Sequence, residues 1–188
     1  VSRVQINSNY YILISDDIKE LLDTKDNDND ILGEKIDKLI NNSTNSGTMA
    51  NYDFMEILRN FTSPNKDIYL NKISVKNDIT TIKDGYYFNG IKLAGELDNN
   101  NLKIINLFKK SNNIYFTYKY NKDYYNLKID SSNVSYDIKD KINIKLDIKA
   151  DIDTAGENIK TANINVVEKL NKHTAQSIKH DLNNLLNR

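Results

Sequence analysis

Between residues 142 and 152 the chain reads INIKLDIKADI, with Ile142, Ile144, Leu146, Ile148, Ala150 and Ile152 alternating against Asn, Lys and Asp. A period of two marks a strand with one face buried and the other in water. Such a strand needs a second layer to cover its apolar face, and the next segment supplies one. From about Glu157 onward, Ile159, Ala162, Val166, Leu170, Ala175, Ile178, Leu182 and Leu185 form one stripe at helical spacing, which predicts a long amphipathic terminal helix. A helix against one face of an antiparallel sheet is the expected architecture.

Three shorter runs predict the other strands of that sheet: IYFTYKY at 114–120, YYNLKI at 124–129 and NVSYDI at 133–138. Upstream, ITTIKDGYYFNGIKLAGEL at 79–97 reads as two strands joined by a turn and punctuated by Gly85, Gly90 and Gly95. Asp98 is placed to cap a following helix whose face is Leu102, Ile105 and Leu107 or Phe108. Nearer the start, YYILIS at 10–15 predicts a buried strand, and Asp16 and Asp17 offer a cap for IKELL. A polar tract ends at Asp30, which can cap a helix carrying Ile31, Leu32, Ile36, Leu39 and Ile40 and closing by Asn42. A third short helix around 52–60 presents Phe54, Ile57, Leu58 and Phe61, and Pro64 stops it. After Pro64 the periodicity changes to the alternation of Ile68, Leu70, Ile73 and Val75. These patterns place a boundary near residue 76 and divide the chain into 1–75, a smaller mixed unit, and 76–188. The fold class is α+β, an antiparallel or mixed sheet packed by helices that include the long terminal one.

The 26 basic and 26 acidic residues cancel, so no global field draws the chain to nucleic acid or to an anionic bilayer. Without cysteine there is no disulfide, thiolate zinc site or thiol nucleophile. No apolar run reaches the roughly 18 to 20 residues of a membrane span. The chain opens Val1-Ser2-Arg3, which reads as an excised fragment whose parent carried any targeting signal further upstream.

Catalytic patterns are missing. There is no phosphate-binding loop, dinucleotide fingerprint or His-Glu-x-x-His helix. Asp26-x-Asp28-x-Asp30 imitates the start of a calcium loop, but positions six and twelve hold Ile31 and Asp37 instead of Gly and Glu, so a solvated acidic tract is the reading. His173 and His180 are the only histidines and fall about 10 Å apart along a helix, too far for one metal, which leaves them as solvated helix residues. Lys and Tyr interleave in YFTYKYNKDYYNLK, a mixture suited to stacking bases, but Asp123 and Asp130 dilute its charge and aromatic residues are ordinary strand material.

The pattern Gly85-x-x-Phe88-x-x-x-Lys92-Leu93-x-Gly95-x-Leu97 resembles the opening of the C-terminal domain of the Ger(x)C proteins, the C subunits of spore germinant receptors. Lys92, Leu93, Gly95 and Leu97 match the second piece of that motif residue by residue, and Gly85 and Phe88 match the first more loosely. The order of hairpin, capped helix, aromatic strands, alternating strand and terminal helix extends the likeness over about 76–188, and residues 1–75 resemble the preceding part of the family more weakly. The resemblance implies a non-catalytic lipoprotein subunit with no cofactor and no bound metal. It implies as partners the receptor's membrane subunits A and B and, through a lipid anchor on the full-length protein, the outer face of the spore inner membrane; nucleic acid is not among them. The motif glycines have a structural reading, since tight turns and close strand packing require a missing Cβ. The alternative is a small-ligand module with a pocket between the two units for an amino acid, sugar or nucleoside, a use that suits the Tyr content.

Overall fold

The computed structural model describes residues 11–24, 31–50, 52, 54–63, 66–109 and 114–187. They fall into two units, one within 1–43 and 49–99, the other within 44–48 and 100–188. Asp26, Asp28, Asp30 and Pro64 lie outside the described residues.

The first unit holds β1 (Leu13–Ser15), α1 (Ile18–Asp23), α2 (Leu32–Asn45, most of whose length belongs here), α3 (Phe54–Thr62), β2 (Asp67–Lys76), β3 (Ile79–Asn89) and β4 (Lys92–Leu97). Its sheet runs β1-β2-β3-β4, with β1 parallel to β2 and the other pairs antiparallel. Asp17 caps α1 as its spacing predicts, accepting the Glu20 N–H at 2.9 Å. The β2–β3 turn is two residues long, and Asn77 and Asp78 both adopt positive φ, the backbone that a tight hairpin requires. Leu21, Ile40, Met49, Ile73 and Ile82 bury together against one part of this sheet. Ile68, Tyr69, Leu70 and Asn71 are buried in succession, so β2 is covered on both faces.

Of the YYILIS run, Tyr10 lies outside the described residues, Tyr11 and Ile12 precede the strand, and Leu13–Ser15 is only half-buried because it lies at the edge and pairs along one side. Ile31 stands outside α2 and is exposed. On α3 only Ile57 of the predicted face is fully buried, while Phe54 and Leu58 are exposed. The division at 75/76 falls within the β2–β3 hairpin, whose strands pair from Asp67↔Asn89 to Lys76↔Ile79.

The second unit begins within α4 (Asn99–Phe108) and continues through β5 (Ile114–Tyr120), β6 (Asp123–Ile138), β7 (Ile142–Ala155) and α5 (Ile164–Leu186). Its sheet is antiparallel in the order β5-β6-β7. One face carries Ile114, Phe116 and Ile129, which meet Ile104 and Leu107 of α4 and Ile178 of α5. Nearer the start of α5, Tyr125, Leu127, Ile159 and Leu170 form a second cluster. Full burial of each such aliphatic chain contributes roughly 1.5–3 kcal/mol.

Two predicted strands, 124–129 and 133–138, are one strand here, because a bulge between Ile129 and Ser131 absorbs the polar interruption without ending the pairing. The terminal helix starts at Ile164 and not near Glu157: turns from Gly156 to Asn163 precede it, and Asn163 caps it by accepting the Asn165 N–H at 3.0 Å. Ile159, predicted on the helix, is buried from that turn region. The apolar side of β7 alternates as predicted but is only half-buried, because β7 is an edge strand and only Leu146, Ile148, Ala150 and Ile152 pack into the clusters it shares with the helices.

Residues 44–48 join this unit although they lie between α2 and α3 in sequence. The Tyr115 N–H donates to the Ser46 carbonyl at 3.3 Å, and the buried Asn106 amide donates to the Gly47 carbonyl at 2.8 Å. Gly47 has φ +75°, and a Cβ there would stand 2.7 Å from the Ile114 Cα, so no larger residue fits.

Candidate functional site

The six motif residues lie in the β3–β4 hairpin and serve it differently. Gly85 follows Asp84, which has φ +60° where the β2–β3 register shifts, and a Cβ on Gly85 would come 2.6 Å from the Leu70 carbonyl oxygen. The same Asp84 exchanges hydrogen bonds with Asn99 at the start of α4: its N–H donates to Asn99 Oδ1 at 3.0 Å, and its Oδ1 accepts the Asn99 N–H at 3.2 Å. Gly95 leaves room for the Tyr87 ring, which a Cβ would strike. Phe88 meets Phe61 edge to face at 6.3 Å, and Leu97 is buried. Lys92 and Leu93 are exposed near the hairpin turn, where Gly90 takes φ +59° and Ile91 is exposed beside it. The glycines therefore act through close approach and turn geometry, and the motif does not bring acid, base and nucleophile to one point.

The charged groups of the first unit make a tie between elements. Asp16, in the turn between β1 and α1, forms an ion pair with Lys72 of β2 and accepts the Tyr86 hydroxyl of β3 at 2.8 Å; the Lys72 ammonium also stands 5.4 Å from the Tyr86 ring centre. These hydrogen bonds from Lys72 and Tyr86 hold the Asp16 carboxyl below its usual range, and hydrogen bonds with Asp16 and Tyr86 push the Lys72 ammonium up. Tyr52 and Tyr69 touch edge to face at 5.0 Å, and burial pushes both phenols well up.

In the second unit the structure assembles residues that sequence reasoning left apart. Tyr118, Tyr120 and Tyr125 surround the His173 ring at centroid distances of 6.4, 5.5 and 6.0 Å. The Tyr125 hydroxyl lies 2.9 Å from His173 Nδ1 and 2.9 Å from Thr174 Oγ1, and Tyr118 donates to Asp181 at 3.5 Å. Burial is the main reason the Tyr118 and Tyr125 phenols are raised, so neither ionises readily. His173 is thus part of the helix–sheet contact and not the solvated residue expected, whereas His180 is exposed and lies 3.0 Å from Asn184. The missed signal was the pleat: β5 and β6 turn Phe116, Tyr118 and Tyr125 toward α5, and a residue one turn after Leu170 faces them. The same pleat splits the Lys–Tyr run, leaving Lys119 and Tyr124 on the opposite face at 5.8 Å. Its inward aromatics are already stacked on protein, with Phe116 and Tyr118 parallel at 5.7 Å.

Among the described residues no group of three or more His, Asp or Glu side chains is arranged to hold a metal ion, and no helix is long and apolar enough to cross a membrane. What the surface offers is apolar area. On α3, Phe54, Met55 and Leu58 are exposed, and at the far end of the β6–β7 hairpin Tyr136, Ile138 and Ile142 are exposed as well.

Two family models match in chain order. Residues 2–75 match the spore germination protein N-terminal domain, and residues 83–188 match the spore germination B3/GerAC-like C-terminal domain. The chain belongs to the spore germination GerAC family. Membership gives it the role of a germinant-receptor C subunit and a spore-associated membrane location. No curated protein and no solved structure matches it. The GerAC matches meet between residues 75 and 83, across the β2–β3 hairpin, so the seam between family models and the seam between the two units fall at different places.

Proposed function

We propose that the protein is a non-catalytic lipoprotein subunit of a spore nutrient-germinant receptor, contributing to receptor assembly and germination signalling through protein contacts. In this reading the full-length protein is held by a lipid anchor on the outer face of the spore inner membrane, and its partners are the receptor's two membrane subunits. The observation that carries it is the pair of family matches in the expected order. The surface agrees in kind, with exposed apolar side chains on α3 and on the β6–β7 hairpin and no convergent catalytic groups in the motif hairpin. Residues 1–75 and 76–188 are read as the family's two domains, and Gly85, Phe88, Lys92, Leu93, Gly95 and Leu97 as residues that shape the second domain's opening hairpin.

The test is mass spectrometry of the full-length protein extracted with detergent from spore membranes. An acylated N-terminal Cys and two co-purifying polytopic membrane proteins are expected. An unlipidated protein without membrane partners would overturn the proposal.

A further inference from the structure

We propose that the free edge of β7 pairs with the same edge of a second copy of this chain, antiparallel and centred on Ile148, so that two three-stranded sheets join into one. The inference stands on β7 alone and goes beyond the receptor reading.

β6 occupies one side of β7, and among the described residues no strand pairs with the other. Past Ile129 β5 no longer accompanies β6, and β6 and β7 continue as a two-stranded ribbon, so the outer edge of β7 is unpaired along its whole length. Every second residue of such an edge turns its N–H and C=O outward, which makes a template for a further strand. Proteins blunt long edges with proline, with a bulge or with lysines. β7 has no proline, and the bulge after Ile129 adds its extra residue to β6, so β7 runs unbroken from Ile142 to Ile152. Its lysines alternate with aspartates: Lys145, Asp147, Lys149 and Asp151 stand exposed in a row on the polar face.

That order of charges selects both the partner and the register. A pairing that keeps apolar positions opposite apolar ones can shift only by two residues at a time. With Ile148 opposite its own copy, Asp147 meets Lys149 and Lys145 meets Asp151. The two-fold axis repeats both pairs, so every charge in the row meets its opposite. The same register sets Leu146 against Ala150 and Ile144 against Ile152 on the apolar face. Centring on Asp147 instead brings Lys145 against Lys149, and centring on Lys149 brings Asp147 against Asp151. A strand of another protein requires no inversion of sign about one residue, whereas a second copy does. Asp151 would then lie between Lys128, its register partner in β6, and the second copy's Lys145. The Lys145–Asp147 ion pair within the strand is exposed, so its side chains can turn to the second copy at little cost.

The experiment uses the full-length protein purified in detergent, with cysteine replacing Ile148 in one variant and Ile144 in another. Opposed residues of an antiparallel pair have Cα atoms about 4.5–5.5 Å apart, within the range of a disulfide. The two copies of position 144 would stand roughly 27 Å apart, at about 3.4 Å per residue. Under mild oxidation Ile148→Cys should give a disulfide-linked dimer at least tenfold above Ile144→Cys and the unmodified protein. Equal yields, or a folded Ile148→Cys protein that stays monomeric, would overturn the proposal.

The exposed charges give an independent measurement, the dimer fraction in sedimentation. Asp147→Lys or Lys149→Asp alone makes like charges meet and should lower that fraction at least tenfold, and the two together should restore it. Their β6 register partners, Asn133 and Ser131, are neutral, so the changes leave the chain's own sheet undisturbed. An unmodified protein that is monomeric at every concentration, single variants that still dimerise, or a double variant that does not recover would each overturn the pairing. This series decides the matter even where Ile148→Cys fails to fold.

Discussion

β2 and β7 look alike as sequences, both Ile-rich and both broken by Lys and Asn, yet they occupy opposite places in their sheets. β2 is central and buried on both faces over Ile68, Tyr69, Leu70 and Asn71. β7 is an edge strand with no fully buried residue, wet on one face and covered for part of its length on the other. The first arrangement fixes a scaffold, since any change there disturbs two layers at once. The second leaves one surface that is neither core nor ordinary exterior.

Large-to-small substitutions measure this contrast directly. Ile68→Ala should cost about 3–5 kcal/mol in urea unfolding followed by tyrosine fluorescence, Ile148→Ala roughly 1–2 kcal/mol, and Ile142→Ala close to zero, as expected when the deletion leaves, respectively, a closed cavity, a partly open one and none. Similar costs at all three positions would break the comparison.

The glycines sharpen it next. Gly47→Ala forces an unfavourable φ and drives a methyl into the Ile114 backbone, for an expected loss of about 2–5 kcal/mol from the second unit. Gly33→Ala, within α2, meets nothing within 4 Å and should stabilise the chain by about 0.5–1 kcal/mol. Thermal unfolding of both variants checks the sign, and a destabilised Gly33→Ala would show that the helix surface is more tightly engaged than its open surroundings suggest.

The two glycines also mark the limit of what the sequence could convey. Periodicity located most elements, because alternation and 3.6-residue spacing are local consequences of burial: IYFTYKY is β5 to the residue, and the Leu170, Ile178 and Leu182 stripe is α5. Long-range insertion leaves no such local signature. Residues 44–48 read as an ordinary Ser- and Asn-rich loop, and only the fold shows Gly47 against Ile114 and Asn106 holding its carbonyl. The bulge after Ile129 was hidden for a related reason, since a polar interruption looks the same whether pairing ends or shifts by one residue. His173 was misread because its own neighbours are polar and its aromatic partners in β5 and β6 lie far away in sequence, the nearest being Tyr125 at a separation of 48.

The aromatic cluster gives a smaller test. Tyr125→Phe keeps the ring and removes the hydroxyl shared with His173 and Thr174, so it should cost about 1 kcal/mol. Tyr136→Phe, exposed on the ribbon, should cost nothing measurable. If the Tyr125 hydroxyl proves equally dispensable, the contact between α5 and the sheet is apolar in substance and its polar atoms are incidental.

The smallest effect concerns the acid tie of the first unit, which joins a turn to two strands. Asp16 has a carboxyl held below its ordinary value of 3.8 by hydrogen bonds from Lys72 and Tyr86. A group whose folded pKa is depressed contributes stability that is present above the unfolded pKa and is lost as pH falls through the folded one. The loss should therefore begin near pH 4 and continue below it. Lys72 shifts the other way, so its share persists below its ordinary value of 10.5 and would be lost only at more alkaline pH. Asp16 is exposed and screened, which keeps its share slight and makes it sensitive to salt. Asp16→Asn should flatten the fall in thermal midpoint between pH 4 and pH 2 and leave the second unit's response unchanged, while Tyr86→Phe should flatten it partly. An acid profile identical to that of the unmodified protein would mean that the ion pair records geometry without contributing to folding, and that β1 is held to β2 by its three register pairs and the apolar contact of Leu13 alone.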